Sequence, residues 1–292
     1  MSSFKTLAGA VAMVAAAAAL STSATAADLM HAPMMAPPLP PMAEGISGLY
    51  LRGDVGVSSY ESSKVTSTFA NPAIVVPGFM VDKSSFDSVA FAGVGIGYQV
   101  NNWLRFDVTG EYRTASKFSA IESFTNNGVA FPLIGGCGAR CYDTYSASIQ
   151  SSVFLANAYV DLGTWRGITP YIGGGVGMAS HKVKGLYDLS AQPAGGFGFA
   201  PDTSKTGFAW ALMAGLGFEV TRNLKMDLGY RYLNMGDVTS GQIACAGVGI
   251  VCPLEVQKYA LTSHDVKVGF RYLLADDAPP SMPMGGPLVR KY

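Results

Sequence analysis

The sequence is poor in charged residues and has no excess of either sign. Acidic and basic side chains number 20 each, and together they make up 14% of the 292 residues. In a typical soluble domain the charged fraction is about a quarter. A formal net charge of zero gives no reason to expect nucleic acid as a partner. The positive mean hydropathy, +0.26, instead indicates a membrane protein whose apolar residues are spread along the chain.

Long apolar runs are missing everywhere except at the N-terminus. There Lys5 is followed by an apolar run over 7–20 and by an Ala-Thr-Ala tripeptide at 24–26. A basic start, a short apolar core and a small-x-small ending predict a cleaved signal peptide over 1–26. A membrane anchor is the alternative, although the run is short for a span. No later stretch reaches the roughly 18 apolar residues of a transmembrane helix, so a mature membrane protein would cross as strands.

Cysteine is scarce and occurs as two close pairs, Cys137 with Cys141 and Cys245 with Cys252. Short local spacings in an exported protein predict two disulfides, each worth about 2 kcal/mol. A metal site is the alternative, but it needs more ligands, and no histidine lies near either pair. We predict neither a metal nor a cofactor.

Proline is concentrated in two segments, 27–46 and 275–292. Because proline cannot donate to a sheet ladder, we predict that both are extended or flexible periplasmic tails. One domain is predicted between them, over 47–274.

The domain shows the alternation of β-strands. From Leu104 to Arg113, even-numbered positions are apolar or glycine, and odd-numbered positions are polar or charged. A period of two predicts a strand with an apolar face and a polar face. Similar alternation is found over 49–57, 224–232 and 265–272, and less polar strands are predicted at about 87–100, 147–162, 168–182 and 205–220.

The predicted connections alternate between short and long. Short turns are predicted at 101–102, 163–167 and 221–223, and long loops at about 61–86, 116–145, 183–204 and 237–258. This split predicts an all-β fold, an eight-stranded antiparallel up-and-down transmembrane β-barrel in a bacterial outer membrane, with periplasmic termini and surface-exposed loops that hold the cysteines. A β-sandwich is the alternative, but it explains less well the aromatic residues near the strand ends.

If the apolar face contacts lipid, the charged face lines the lumen. The predicted lumen charge network consists of Arg52, Asp54, Arg105, Asp107, Glu111, Arg113, Asp161, Glu219, Lys225, Asp227, Arg231, Asp265, Lys267 and Arg271. With Lys205, the inward charges are eight positive and seven negative. Near-balance suggests paired networks, because an unpaired charge is costly in a narrow interior. Glycines at 93, 95, 97, 173, 175, 177, 215 and 217 leave room for long side chains. Because side chains just fill an eight-stranded barrel, we expect a plugged lumen, which disfavours an open pore without excluding it.

Catalysis is not predicted. The sequence has three histidines, His31, His181 and His264. His31 lies in a proline-rich tail, and the other two each follow a serine in a predicted strand. Adjacent strand residues point to opposite faces, so neither Ser-His pair can form a dyad. We interpret His181 and His264 as interfacial polar residues.

The predicted long loops contain apolar segments at 74–79 and 129–134. These segments either pack loop on loop above the barrel, or form a surface that engages host, phage or partner proteins. Both interpretations stay open at the sequence level.

Two motifs carry a resemblance to a known family. The segment LGYRYLNMGD at 228–237 resembles the seventh-strand signature of opacity-type surface antigens, and VKVGFRY at 266–272 resembles their closing strand. The whole of 47–274 is similar to alphaproteobacterial outer-membrane immunogenic proteins, which are often labelled porin-family. One departure is that the chain continues from 275 to 292, whereas the family's assembly signal usually ends at a terminal aromatic residue.

The resemblance implies an eight-stranded barrel in the OmpA/OmpX style that is abundant, immunogenic and supports envelope integrity. It implies outer-membrane lipid, lipopolysaccharide and the barrel-assembly machinery as partners, with host or phage surface molecules as further candidates. We therefore predict a structural, surface-exposed outer-membrane protein that is not an enzyme. The alternatives are a small-solute porin, and an adhesin or receptor that acts through its long loops.

Overall fold

The computed structural model describes residues 47–69, 78–125, 139–190, 196–246 and 255–274, all within the unit Gly45–Tyr292. None of these residues forms a helix long and apolar enough to cross a membrane. The predicted signal peptide at 1–26 and the proline-rich segments at 27–46 and 275–292 lie outside the described residues. Their assignments stay predictions.

The described residues form eleven β-strands, eight of them long. In chain order the strands are β1 (Gly48–Phe69), β2 (Met80–Phe86), β3 (Val89–Gln99), β4 (Leu104–Thr125), β5 (Arg140–Asp161), β6 (Ile168–Ser190), β7 (Phe197–Phe199), β8 (Thr203–Glu219), β9 (Leu224–Thr239), β10 (Ala244–Ala246) and β11 (Glu255–Leu273). The short strands β2 and β7 pair with β4 and β6, and β10 pairs with β7.

The eight long strands form a closed ring. Each pairs antiparallel with its neighbour in the order β1, β3, β4, β5, β6, β8, β9 and β11, and β11 pairs with β1. Where all eight strands pair on both sides, closure leaves no free edge, which is how a barrel satisfies its backbone hydrogen bonds. The predicted eight-stranded up-and-down barrel is confirmed, and the sandwich alternative is wrong.

Three tight turns lie at one end of the ring, which we call the short-turn end. The Asn101 Oδ1 accepts the Trp103 and Leu104 amide hydrogens at 2.9 and 2.8 Å. Thr221 Oγ1 accepts the Leu224 amide hydrogen at 3.0 Å in the β8–β9 turn. Such side-chain-to-backbone bonds favour turns. The chain also enters and leaves the ring at this end, where the Leu274 amide donates to the Leu49 carbonyl at 2.7 Å.

A band of exposed apolar side chains surrounds the part of the ring next to the short-turn end. Successive outward positions on each strand contribute to the band, as the period of two requires. Its members include Leu51, Val55, Val94, Ile96, Phe106, Val108, Tyr112, Phe154, Ile172, Val176, Phe208, Leu212, Leu228, Tyr230, Val266, Val268, Phe270 and Tyr272. An outward apolar band with aromatic residues near its edges matches a bilayer.

The strands extend well past the apolar band, toward the opposite end of the ring, which we call the far end. The predicted loop over 116–145 includes strand at both ends, because β4 continues to Thr125 and β5 begins at Arg140. The predicted loops at 61–86, 183–204 and 237–258 likewise contain strand. The loop boundaries were therefore wrong, and Cys141 and Cys245 lie in strands.

The physical reason is that apolar residues occupy outward positions within the apolar band but inward positions beyond it. A β-bulge between Arg113 and Ser116 shifts β4 by one position, so that Phe118 and Ala120 face inward. Phe118 packs edge-on against Tyr259 of β11, with ring centroids 4.5 Å apart. With water outside, the apolar residues point inward there, and burial of each large side chain contributes about 1.5–3 kcal/mol. A rule that seeks apolar residues on the outer face misses these strands.

Candidate functional site in the barrel interior

The interior near the short-turn end contains a balanced set of buried charges. Six are basic and six are acidic: Arg52, Arg105, Arg113, Arg231, Lys267 and Arg271, with Asp54, Asp107, Glu111, Asp161, Asp227 and Asp265. None of the twelve is more than 7% exposed. Each carboxylate has a basic partner within 4 Å.

The tightest group joins Glu111, Arg113, Arg231 and Asp265. Arg231 donates from Nη1 and Nη2 to the two Glu111 oxygens at 2.5 and 2.6 Å, and from Nε and Nη2 to Asp265 Oδ2 at 2.8 and 2.7 Å. Arg113 Nη2 donates to Asp265 Oδ2 at 2.6 Å. Bidentate guanidinium–carboxylate pairs are among the strongest protein hydrogen bonds. The group ties β4, β9 and β11 together across the lumen.

A second group lies closer to the short-turn end, around Arg52. Its guanidinium donates to both Asp54 oxygens at 2.9 and 2.8 Å and to Asp107 Oδ2 at 2.6 Å. Asp107 also accepts from Tyr50 at 3.0 Å and from Asn157 at 2.7 Å. Side chains of three strands, β1, β4 and β5, thus meet at two carboxylates, whose oxygens accept several hydrogen bonds.

Two further ion pairs belong to this set of twelve buried charges, which we call the charged layer. Arg105 Nε lies 3.1 Å from Asp161 Oδ1, and Arg271 Nε and Nη2 donate to Asp227 at 2.5 and 2.8 Å. Nη1 and Nη2 of Arg105 have no hydrogen-bond partner among the described residues. The Arg105 guanidinium carbon instead lies 4.1 Å from the Tyr159 ring centroid, where cation–π attraction offsets part of the cost of burial.

Three residues that were predicted to face the lumen lie outside this buried set. Glu219 and Lys225 form a 3.4 Å pair with side chains 46% and 23% exposed. Glu219 is the last residue of β8 and Lys225 the second residue of β9, where the ring opens to solvent at the short-turn end. Lys205 is exposed and donates to Thr239 at 3.2 Å. Alternation predicts the face of a residue but not its depth in the barrel.

The inward glycines make room for the large polar side chains. A Cβ on Gly93 would lie 2.6 Å from Glu111 Cγ, and a Cβ on Gly215 would lie 2.6 Å from the Tyr171 hydroxyl. A Cβ on Gly97 would collide with Tyr50. Such distances are too short for real contacts, so each glycine is required by an inward neighbour on an adjacent strand.

The two described histidines have different environments. His264 lies outside the ring, where Nδ1 is 2.6 Å from the Tyr230 hydroxyl. His181 is 1% exposed and faces inward, so its interpretation as interfacial was wrong. Its Nε2 faces the Met235 carbonyl at 3.1 Å and its Nδ1 lies 2.8 Å from Ser151 Oγ. A carbonyl can only accept, so Nε2 carries the proton and Ser151 donates to Nδ1.

The cysteine predictions are only partly within the described residues. Cys141 is buried and disulfide-bonded. Cys137 and Cys252 lie outside the described residues, so the predicted pairing of the four cysteines stays a prediction.

Sequence reasoning missed four inward carboxylates at the far end. Glu122, Asp143, Asp188 and Glu255 project from β4, β5, β6 and β11, at positions that were predicted to be in loops. The signal that could have found Glu122 is the series of small or apolar residues at every second position, Ser116, Phe118 and Ala120, which continues to Glu122 on the same face. The part of the chain that the structure describes holds no group of three or more His, Cys, Asp or Glu side chains arranged to bind a metal ion.

A family model described as outer membrane protein beta-barrel domain matches residues 8–273. The chain belongs to this family. It is an outer-membrane protein, and the predicted family and location are confirmed. The barrel, its apolar band and its polar interior are typical of outer-membrane barrels.

Relatives of this outer-membrane barrel come from several bacterial genera. An uncharacterized protein of Brucella abortus is 32% identical and covers 86% of this chain and 93% of its own length. The outer membrane protein PagN of Salmonella typhimurium is 27% identical over 70% of this chain and 82% of its own length. A Rickettsia prowazekii protein proposed as an adhesin is 24% identical over 76% of this chain and 86% of its own length.

Proposed function

We propose that this outer-membrane protein is a structural, surface-exposed barrel with a closed lumen, which supports the integrity of the envelope. The observation that carries the proposal is the balanced set of six basic and six acidic side chains buried in the interior. An eight-stranded barrel is narrow enough for its own side chains to fill it. A path for solutes would require several of these pairs to separate inside a low-dielectric space, which costs several kcal/mol.

The proposal includes orientation and partners. The short-turn end faces the periplasm and the far end faces the medium, as is usual for bacterial barrels. The apolar band contacts outer-membrane lipid and lipopolysaccharide, and the barrel-assembly machinery inserts the chain. We assign no enzymatic activity, because Ser151 and His181 are both almost completely buried and the second imidazole nitrogen faces a backbone carbonyl rather than a carboxylate.

A deletion strain tests the structural role. Loss of the protein is expected to increase sensitivity to detergent and bile salts, and expression of the wild-type chain is expected to restore resistance. A deletion strain as resistant as its parent would contradict the proposal.

A second candidate function is adhesion, and an exposed apolar patch near the far end favours it. The patch consists of Tyr142 on β5, Tyr187 and Leu189 on β6, and Phe197 and Phe199 on β7, all at least 43% exposed. Tyr187 pairs with Phe199 and Leu189 with Phe197 in the strand register, so these side chains lie side by side. Exposed apolar patches on the water side of a protein mark interaction surfaces, and one relative is proposed as an adhesin.

Substitutions in the patch test adhesion. In cells that express the protein, Phe197→Ser combined with Phe199→Ser is expected to reduce attachment to host cells by about tenfold, because buried aromatic anchors dominate interfaces. Met80→Ser is the matched control, since Met80 is an exposed apolar residue on β2. Equal attachment by the wild type, the double variant and the control would exclude the patch as the adhesion surface. Detergent resistance is expected to stay unchanged in all three strains.

A further inference from the structure

The interior near the far end contains a cluster of four carboxylates that come from four strands. This far-end acidic cluster consists of Glu122, Asp143, Asp188 and Glu255. Glu122 stands directly opposite Asp143 in the β4–β5 register, and Asp188 stands opposite Tyr145 in the β5–β6 register. Directly opposite side chains on one face of a sheet have Cβ atoms about 5 Å apart, and like charges there repel.

Glu122 is the unusual member of the cluster. It is 1% exposed, and neither of its carboxylate oxygens has a hydrogen-bond partner among the residues that the structure describes. Glu255, by contrast, accepts from the Tyr145 hydroxyl at 3.1 Å. A buried carboxylate without a partner is strongly disfavoured, so it requires either a proton or a positive charge that the described residues do not supply.

Two basic residues described near this end, Arg140 and Lys258, are engaged elsewhere. Arg140 donates to the Gly78 carbonyl at 3.1 Å and to Ser123 Oγ at 2.6 Å, and Lys258 pairs with Asp237 at 2.8 Å with both side chains about half exposed. None of the ion pairs among the described residues includes a member of the cluster. This contrasts with the charged layer near the short-turn end, where every acid has a basic partner.

The cluster shape favours one class of cation. Asp143 and Asp188 are partly exposed, so a ligand can reach them from the solvent. The acceptors are distributed over four strands, and no three carboxylates are arranged to hold one metal ion. A group with several N–H donors, such as a guanidinium or a primary ammonium, can bond to acceptors that are spread in this way.

We propose that the far-end acidic cluster is a binding site for a cationic nitrogen group, a guanidinium or primary ammonium, with Glu122 as its innermost acceptor. The group comes either from an arginine or lysine side chain of a peptide or from a free polyamine. The proposal does not depend on the structural role proposed above.

Binding is expected to release protons. Burial, together with the charges of Glu255, Asp188 and Asp143, raises the pKa of Glu122 to about 9. Burial, with Asp143 and Glu255, raises the pKa of Asp188 to about 8. Both carboxyls are therefore largely protonated near neutral pH when no cation is present, and a bound cation lowers their pKa values.

Calorimetric titration of the full chain in detergent micelles tests the proposal. The probes are arginine amide, a short arginine-containing peptide, spermidine and calcium chloride, each in two buffers of different ionisation enthalpy. We expect saturable binding of an organic cation near neutral pH with proton release. Glu122→Gln should weaken binding by about tenfold or more, as loss of a charge-assisted hydrogen bond predicts. Glu61→Gln, an exposed glutamate on β1, is the matched control and should change the affinity by less than about twofold.

Comparison of the probes shows whether the bound cationic group belongs to a peptide side chain or to a polyamine. Tighter binding of the peptide than of spermidine indicates a side chain, and the reverse order indicates a polyamine. The proposal is overturned if no organic cation binds, if calcium alone binds, or if the two glutamine variants behave alike. If Glu122→Gln does not fold, as judged by its heat-dependent gel mobility, Asp188→Asn takes its place with the same expected loss.

Discussion

At the residue scale, two glutamates on the same strand show how surroundings determine the state of a side chain. Glu111 and Glu122 both face inward from β4 and are both almost completely buried. Glu111 accepts from Arg231 at 2.5 and 2.6 Å, whereas Glu122 accepts no hydrogen bond from any described residue. The first residue contributes charge to a balanced network, and the second carries a proton or needs a ligand.

The raised pKa of Glu122 predicts how stability depends on pH. Its pKa is about 9 in the folded protein against 4.5 ordinarily, so the unfolded chain loses this proton first as pH rises. The stability associated with the protonated form is fully present below the ordinary pKa and is lost as pH rises toward about 9. Unfolding by urea in micelles between these limits should show a decline for the wild type that is smaller for Glu122→Gln. Parallel pH curves for the two proteins would contradict this account.

At the element scale, the strands beside the short-turn end could be predicted from sequence because one physical rule applies along their whole length. Leu104 to Arg113 alternates strictly between lipid and lumen, and the three turns at that end use Asn101, Thr221 and glycine. Beyond the band the medium outside the ring changes, and the bulge after Arg113 shifts β4 by one position. A sequence pattern shows neither change, so the far strands were assigned to loops and Glu122 was missed.

The sequence predicts which side chains of the charge network face inward, but it does not predict which of them form pairs. Alternation placed Arg231 on the inner face of β9, yet its contacts with Glu111 of β4 and Asp265 of β11 depend on the stagger of strands across the ring. Glu219 and Lys225 are exposed at the short-turn end and therefore lie outside the network. Their exposure depends on how deep each residue lies in the barrel. Both properties belong to the closed ring rather than to any one strand.

Removal of the Arg231 guanidinium should therefore weaken the contacts between β4, β9 and β11 and lower the free energy of unfolding. Arg231→Gln leaves Glu111 without its main partner and removes one of the two basic partners of Asp265, and removal of one member of a buried pair costs about 3–5 kcal/mol. Lys225→Gln is the matched control, because its partner is exposed, and it should cost less than about 1 kcal/mol. Urea unfolding in micelles measures both. A similar loss for the two variants would show that the buried network contributes little.

At the scale of the whole molecule, the barrel consists of two stretches with opposite patterns. Beside the short-turn end, apolar side chains point out and balanced charges point in. Toward the far end, apolar side chains such as Phe118, Ile149 and Leu261 point in. Each pattern suits the medium outside the wall, lipid in the first case and water in the second. Neither stretch leaves its interior empty, and this is the basis for a structural role rather than a pore.

Conductance across a planar lipid bilayer tests the closed lumen most directly. Refolded wild-type protein is expected to insert without giving stable channels, because twelve buried charged side chains occupy the interior. A large outer-membrane porin that is refolded and inserted in the same way provides the positive control. Reproducible single-channel steps from the wild-type barrel would contradict the account and would favour the small-solute porin.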